Sequence, residues 1–378
     1  MSPFAHGAHR QCQMNATLKA ESEKLARSWM QHDAGWLRDY LVAGVEDPRI
    51  NVQSILTRQF LLHVTGHAAL SPLMEEEYRF SVVMNWLLGL AEKAADREEL
   101  ELVLVALRRG ADNVEGLRIP SWVGQAFTAL PRSSAGVPIP NYIESFLDGT
   151  TVLEGKARAH EPSLDTFCEL WRGALSGAAA SAGQAERAEP PKPMGVSVLE
   201  PACGSANDYR CLHSCGLVPL LDYTGLDLCT KNIENARALF PGVKFRLGNV
   251  FEIEAPDRFF DYALVHDLFE HLSIEGLEVA VRELCRVTRA GLCVGFFQMD
   301  EIPEHQVRPV EDYHWNMLSM RRTRELFAQS GFEAQVLHVA TFLREKTGCE
   351  SYHNPNAYTF LLQASPSERQ GLPGMSRH

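Results

Sequence analysis

In the first third of the chain, apolar residues recur at three- and four-residue spacings, the period of amphipathic helices. Residues 18–44 carry Leu25, Trp29, Trp36, Leu37, Tyr40 and Leu41 in that rhythm, and residues 51–69 carry Val52, Ile55, Leu56, Phe60, Leu61 and Val64. A third segment, 75–95, opens on acids, which suit the positive end of a helix dipole, and continues with Phe80, Val83, Met84, Leu87 and Leu88. A fourth, 97–109, closes on Arg108-Arg109-Gly110, cations followed by a glycine stop. Nothing before residue 130 alternates with the period of a strand, so residues 18–130 are expected to form a helical bundle or cap. Residues 131–140 read as a loop, and 141–173 as short helical pieces with Tyr142, Phe146, Phe167, Leu170 and Trp171 available to pack. The small residues and prolines of 173–194 read as a linker.

After the linker the rhythm changes. Strands are predicted at 196–200, 222–228, 243–247, 262–266, 291–297, 333–338 and 358–363, with helices at 208–216, 231–240, 274–288 and 321–330 between them. This alternation predicts an α/β domain with a mainly parallel sheet covered on both faces. Only a loop, 341–356, separates the last two strands, which predicts an antiparallel hairpin at the sheet edge. The expected organisation is a disordered start over 1–17, a helical cap or substrate domain over 18–172, the linker, the α/β domain over 195–364, and a disordered tail over 365–378.

Composition narrows the function classes. The chain has 378 residues, 45% hydrophobic and 22% charged, ample for two cores. A net charge of −12 argues against nucleic acid as a partner, since phosphate backbones demand clustered Lys and Arg. The nine cysteines are scattered, and the polar start lacks a secretory pattern, which points to reduced thiols in the cytoplasm. No apolar run reaches the ~20 residues of a membrane span, so no membrane partner is expected. A homodimer is a possible assembly.

Chemistry concentrates at the predicted strand ends, where open α/β sheets bind ligands. The first strand ends in Glu200, followed by a loop of small residues, Ala202, Gly204, Ser205 and Ala206. The second ends in Asp227-Leu228, an acid able to accept from ribose hydroxyls. The third ends in Gly248-Asn249-Val250, whose amide could read an adenine edge, and the fourth runs into His266-Asp-Leu-Phe-Glu-His271.

With these pieces the chain, over roughly residues 194–364, resembles the class I S-adenosylmethionine-dependent methyltransferases. The matching stretches are Val198-Leu-Glu-Pro-Ala-Cys-Gly-Ser-Ala, Gly225-Leu-Asp-Leu, Gly248-Asn-Val, the segment from Phe260 to Leu272, Glu283 to Leu292, and Arg324 to Phe332. The resemblance implies a Rossmann-like seven-stranded methyltransferase sheet with the all-helical cap before it, and S-adenosyl-L-methionine as cofactor. It places the first loop on the cofactor, Asp227 on the ribose and Asn249 on the adenine. Leu228, Val250 and His266 lie along the same cofactor edge. The family's first and third loop glycines are Ala202 and Ala206 here, and alanine disfavours positive φ, so the loop is expected to sit differently over the methionine part.

Other polar residues admit two readings. His266 and His271 are candidates to stand near the methyl donor or to serve the acceptor as base or orienter. More plainly, Glu270 and His271 could cap and orient the next helix. Tyr313, His314, Trp315 and Asn316 suit contact with a polar or planar acceptor, or an ordinary loop in which Asn316 or Ser319 caps the following helix. His305 reads as a solvated loop residue. Cys211, His213 and Cys215 have metal-like spacing but no second ligand pair, and core thiols explain them better. The function expected is O-, N- or S-methylation of a small molecule. The alternatives are a non-methylating reaction of the same cofactor, such as its intramolecular cyclisation, and a non-catalytic partner-binding role.

Overall fold

The computed structural model describes residues 14–29, 52–91, 97–114, 116–130, 169–177, 195–347 and 354–365. The expected loop at 131–140, residues 30–44 of the first helical segment, most of the linker and the tail beyond residue 365 lie outside the described residues.

Seven strands form one sheet: β3 (Val196–Pro201), β4 (Leu221–Asp227), β5 (Lys244–Leu247), β6 (Phe260–His266), β7 (Thr288–Phe296), β12 (Phe332–His338) and β13 (Tyr358–Ala364). Their order is β12-β13-β7-β6-β3-β4-β5, with β3 to β7 parallel. β13 runs antiparallel to both its neighbours, β7 and β12. Strand order reverses between β3 and β6, the switch point at whose carboxyl ends open α/β sheets bind ligands. The helices that follow the strands are α7 (Asn207–Ser214), α8 (Thr230–Leu239), α9 (Ile274–Val287) and α10 (Met320–Gln329). Ser273 and Ser319 cap α9 and α10 by accepting from Gly276 N and Arg322 N. The segment between the last two strands is more than a loop. Val339, Phe342 and Leu343 turn inward on a helix, α11 (Val339–Thr347). Two short strand pairs, β8 (Met299–Asp300) with β11 (Leu318–Ser319) and β9 (Pro309–Val310) with β10 (Tyr313–His314), shape the connection from β7 to α10.

The helical part consists of α1 (Ala16–Trp29), α2 (Val52–Val64), α3 (Ser71–Ala91), α4 (Arg97–Arg109), α5 (Ser121–Ala129) and α6, residues 169–177. A two-residue hairpin, β1 (Asn113–Val114) with β2 (Leu117–Arg118), interrupts it where no strand was expected. Residues 173–177, placed in the linker on composition, continue α6, because Trp171 and Leu175 anchor that helix in the core.

The helices divide between the two faces of the sheet. Val198, Leu264 and Cys293 point to one face and share a core with α2 to α6, while Leu199, Ala263, Val265, Leu292 and Val294 point to the other, with α9 and α10. This is the period-two alternation of strands buried on both sides. The bundle therefore serves as one layer of the domain. Its polar centre is Arg58, fully buried, which donates to Glu77 at 2.5 Å and to Cys215 Sγ at 3.1 Å, while Trp171 Nε1 donates to Glu77 at 2.7 Å.

α1 stands apart from the bundle. Leu18 and Leu25 pack into the second core, and the helix reaches from α8 to β10 across the carboxyl edge of the sheet. Residues 14–17, assigned by composition to a disordered start, are ordered: Asn15 caps α1 by accepting from Leu18 N, and its amide donates to Glu275. Glu21 accepts from both the backbone N and the hydroxyl of Ser273, bringing a carboxylate to the start of α9. Among the described residues no helix is long and apolar enough to cross a membrane.

Candidate active site

The loop after β3 keeps a left-handed path despite its alanines. Ala202, Gly204 and Ala206 have φ of 55°, 53° and 71°. Tertiary bonds hold this path: Cys203 N donates to Leu226 O, and Gly204 N donates to Asp227 Oδ2 at 2.9 Å. A left-handed L-residue costs about 1–2 kcal/mol. Ala202 is exposed, so Ala202→Gly is expected to raise stability by about 0.5–1 kcal/mol, read as a higher thermal midpoint. Ala206→Gly should be near neutral, since the buried Ala206 methyl is lost at about 0.8 kcal/mol. A lower midpoint for Ala202→Gly would contradict the strain.

Asp227 closes the strand as predicted, but its carboxylate is occupied. Oδ1 accepts from Cys229 N at 2.8 Å and from Asn232 Nδ2 at 3.2 Å, beside the Gly204 bond on Oδ2. Burial raises its pKa, and these bonds offset only part of that. Leu228 follows half-buried. Ser205 is buried with its hydroxyl between Asn232 and Asn235, so it braces the loop against α8. A side chain at Gly204 would meet open space, and Ala206 supplies no side-chain cap to α7. A carboxylate beside a small-residue cradle at the start of a helix suits a nucleoside carrying an amino-acid tail.

Asn249 folds its carbonyl oxygen onto Phe251 N and donates to Ser22 Oγ of α1 at 2.7 Å. Val250 packs into the second core. Glu200 points to the bundle face, where it accepts from Tyr223 OH at 2.5 Å. Burial, with Asp208 nearby, holds its pKa well above the usual carboxylate range. His266 points the same way: Nδ1 is 2.6 Å from Asp208 Oδ2, and Nε2 is 2.8 Å from Thr57 Oγ1.

A second group gathers nearer β10. His271 Nε2 lies 3.0 Å from Asp267 Oδ1 and Nδ1 3.1 Å from His314 O. A carbonyl and a carboxylate can only accept, so the two contacts together favour the imidazolium form. Burial opposes that charge, but Asp267 outweighs it and the pKa is raised. The rings of Tyr313 and Trp315 lie 5.6 and 5.0 Å from His271, and Trp315 is 36% exposed. His314 contributes its carbonyl to this group, and its buried Nδ1 has no hydrogen-bond partner.

Three expectations change. Asn316 is fully buried, with its side chain bonded to Arg308 N and Leu272 O, so it pins the loop and is not available to an acceptor. His305 is held inside its loop, accepting from Ser319 N, and burial lowers its pKa. Glu270 Oε1 accepts from Phe297 N, and burial raises its pKa to about 7. Thr57, Asp208 and Ser22 were not foreseen. Asp208 alone had a signal, as an acid in the turn after the loop. Cys211 and Cys215 are buried and not joined in a disulfide, and His213 packs against Tyr209 and Phe240.

Residues 199–294 match a family model described as a methyltransferase domain. No curated protein matches the chain. Among solved structures, a chain from the complex between the Haloferax volcanii Trm112 methyltransferase activator and a methyltransferase is 17% identical with a TM-score of 0.36, over 53% of this chain and 97% of that one. An S-adenosylmethionine-dependent methyltransferase from Mesorhizobium loti is 15% identical with a TM-score of 0.36, over 47% of this chain and 94% of its own. A Burkholderia thailandensis 1,6-didemethyltoxoflavin-N1-methyltransferase, with bound 1,6-didemethyltoxoflavin and S-adenosylhomocysteine, is 14% identical with a TM-score of 0.35, over 60% and 86%.

Proposed function

We propose, on the premise that the C-terminal part of the chain is a domain of the class I S-adenosylmethionine-dependent methyltransferase superfamily, that the protein methylates a small-molecule acceptor. The observation that supports the acceptor class is α1, which roofs the carboxyl edge from α8 to β10. A roofed crevice suits a compact acceptor better than a polymer, and the net charge of −12 disfavours nucleic acid.

Bound S-adenosylmethionine supplies an electrophilic sulfonium methyl. The chain's own residues bind, align and keep water out. Asp227 has about four lone-pair sites. Gly204, Cys229 and Asn232 take three, which leaves room for one ribose hydroxyl where two were expected. Asn249 reaches an adenine edge by releasing Ser22. Tyr313 and Trp315 supply planar surface, and His271, with a partner on each ring nitrogen, orients the acceptor and does not serve as its base.

The test is to incubate the full-length chain with methyl-labelled S-adenosylmethionine and pools of small amines, phenols, thiols and carboxylic acids. S-adenosylhomocysteine formed only when one pool is present, with label in the acceptor, is the expected result. Methylthioadenosine released without acceptor would replace methylation by cofactor cyclisation. Failure to bind S-adenosylhomocysteine at all would sink both enzymatic readings.

A further inference from the structure

A chain of three side chains joins the helical bundle to the cofactor loop. Thr57 on α2 is buried, with its hydroxyl 2.8 Å from His266 Nε2, and His266 Nδ1 is 2.6 Å from Asp208. The members lie 209 and 58 positions apart in sequence and come from α2, the end of β6 and the first turn of α7. Asp208 stands two residues after Ala206, the last left-handed residue of the loop. Whatever orients Asp208 therefore orients the start of α7 and the loop it closes.

We propose that Thr57 is a positioning residue for the cofactor loop, fixing the His266 imidazole so that the ring holds the Asp208 carboxylate at the loop's end. An imidazole with one partner swivels about it, and a second partner on the opposite nitrogen fixes the ring plane. The other contact of the Thr57 hydroxyl, Cys293 Sγ at 3.9 Å, is too weak to compete.

The surrounding charges favour an ion pair. His266 faces Asp208 from α7, Glu200 from β3, Thr57 from α2 and Cys293 from β7, with Asp227 beyond Glu200. Burial alone would pull the imidazole down, but Asp208 outweighs it and holds His266 well above its ordinary value. The Asp208 carboxyl is correspondingly lowered by His266, although burial opposes this. Burial raises the Glu200 carboxyl, and His266 pulls it the other way. The His266 contribution is fully present below its unfolded pKa of about 6.5 and is lost as pH rises through the raised folded value. The Asp208 contribution is present above about 3.9 and is lost as pH falls through the lowered one.

The inference rests on the loop being the cofactor site, so the test has two arms. Full-length wild type, Thr57→Val and Thr57→Ser are titrated with S-adenosylhomocysteine by calorimetry. In the absence of any ligand, the His266 ring nitrogens are followed by nitrogen NMR between about pH 6 and 9. Thr57→Val is expected to bind about tenfold more weakly and to lower the pH at which His266 loses its proton, with Thr57→Ser restoring both. Valine that matches wild type in both arms, or serine as poor as valine, would overturn the proposal. A wild type that binds no S-adenosylhomocysteine would instead remove the cofactor reading, and the NMR arm would still decide whether Thr57 governs His266.

Discussion

Glu77→Ala is expected to lower the unfolding free energy by about 3–5 kcal/mol, the loss typical of removing one partner from a buried ion pair. Arg58 and Glu77 are 0% and 1% exposed. Alanine leaves the guanidinium in a dry interior without its carboxylate and takes the acceptor from Trp171 Nε1 as well. Cys215 Sγ, another contact of Arg58 Nη1, is a poor substitute for a charge. A shift of the urea midpoint at constant slope would report the loss. The double variant Arg58→Met, Glu77→Leu should recover only the part due to the buried charge, because an apolar pair carries no desolvation cost but still takes the Glu77 acceptor from Trp171 Nε1. A single-variant loss below about 1 kcal/mol would mean that the pair is dispensable.

The largest effect on ligand binding is expected at Asp227. Asp227→Ala should weaken S-adenosylhomocysteine binding by about 2–4 kcal/mol, roughly 30- to 900-fold. The cause is broader than one lost bond to ribose. Gly204 N loses its acceptor, and the left-handed loop loses the tie that sets it against β4. Stability should fall less, by about 1–2 kcal/mol, from the amides of Gly204 and Cys229 left unpaired. The charge itself adds nothing to stability at neutral pH. A carboxyl raised by burial contributes fully below its unfolded pKa of about 3.9, and that contribution is lost as pH rises through the raised folded value. Unchanged affinity, measured by calorimetry, would remove Asp227 from the cofactor site.

The central strands were legible because they are apolar runs bounded by turn residues, β5 and β12 because apolar and polar residues alternate along them, and Asp227 because it ends such a run. Thr57 was not, since nothing local to α2 distinguishes a threonine facing His266 from one facing solvent. Asn316 shows the same limit in reverse: its polar type suggested a ligand, but burial made it a backbone pin. At Ala202 and Ala206 local preference pointed away from the left-handed region, and the loop's bonds to the end of β4 overrode it. α11 was missed because its nine residues follow β12 with no stop signal between them.

The shared core of bundle and sheet also sets the order in which the protein can be completed. Thr57 precedes Cys293, its neighbour on β7, by 236 residues. At about 5–20 residues per second, α2 leaves the ribosome roughly 12–47 seconds before that strand exists. For roughly the first 10–40 seconds of that interval Phe60, which ends against Tyr262 of β6, has no sheet to cover it. Productive folding is therefore late and dominated by contacts distant in sequence, and the apolar face of α2 must be shielded from other chains until the final strands arrive.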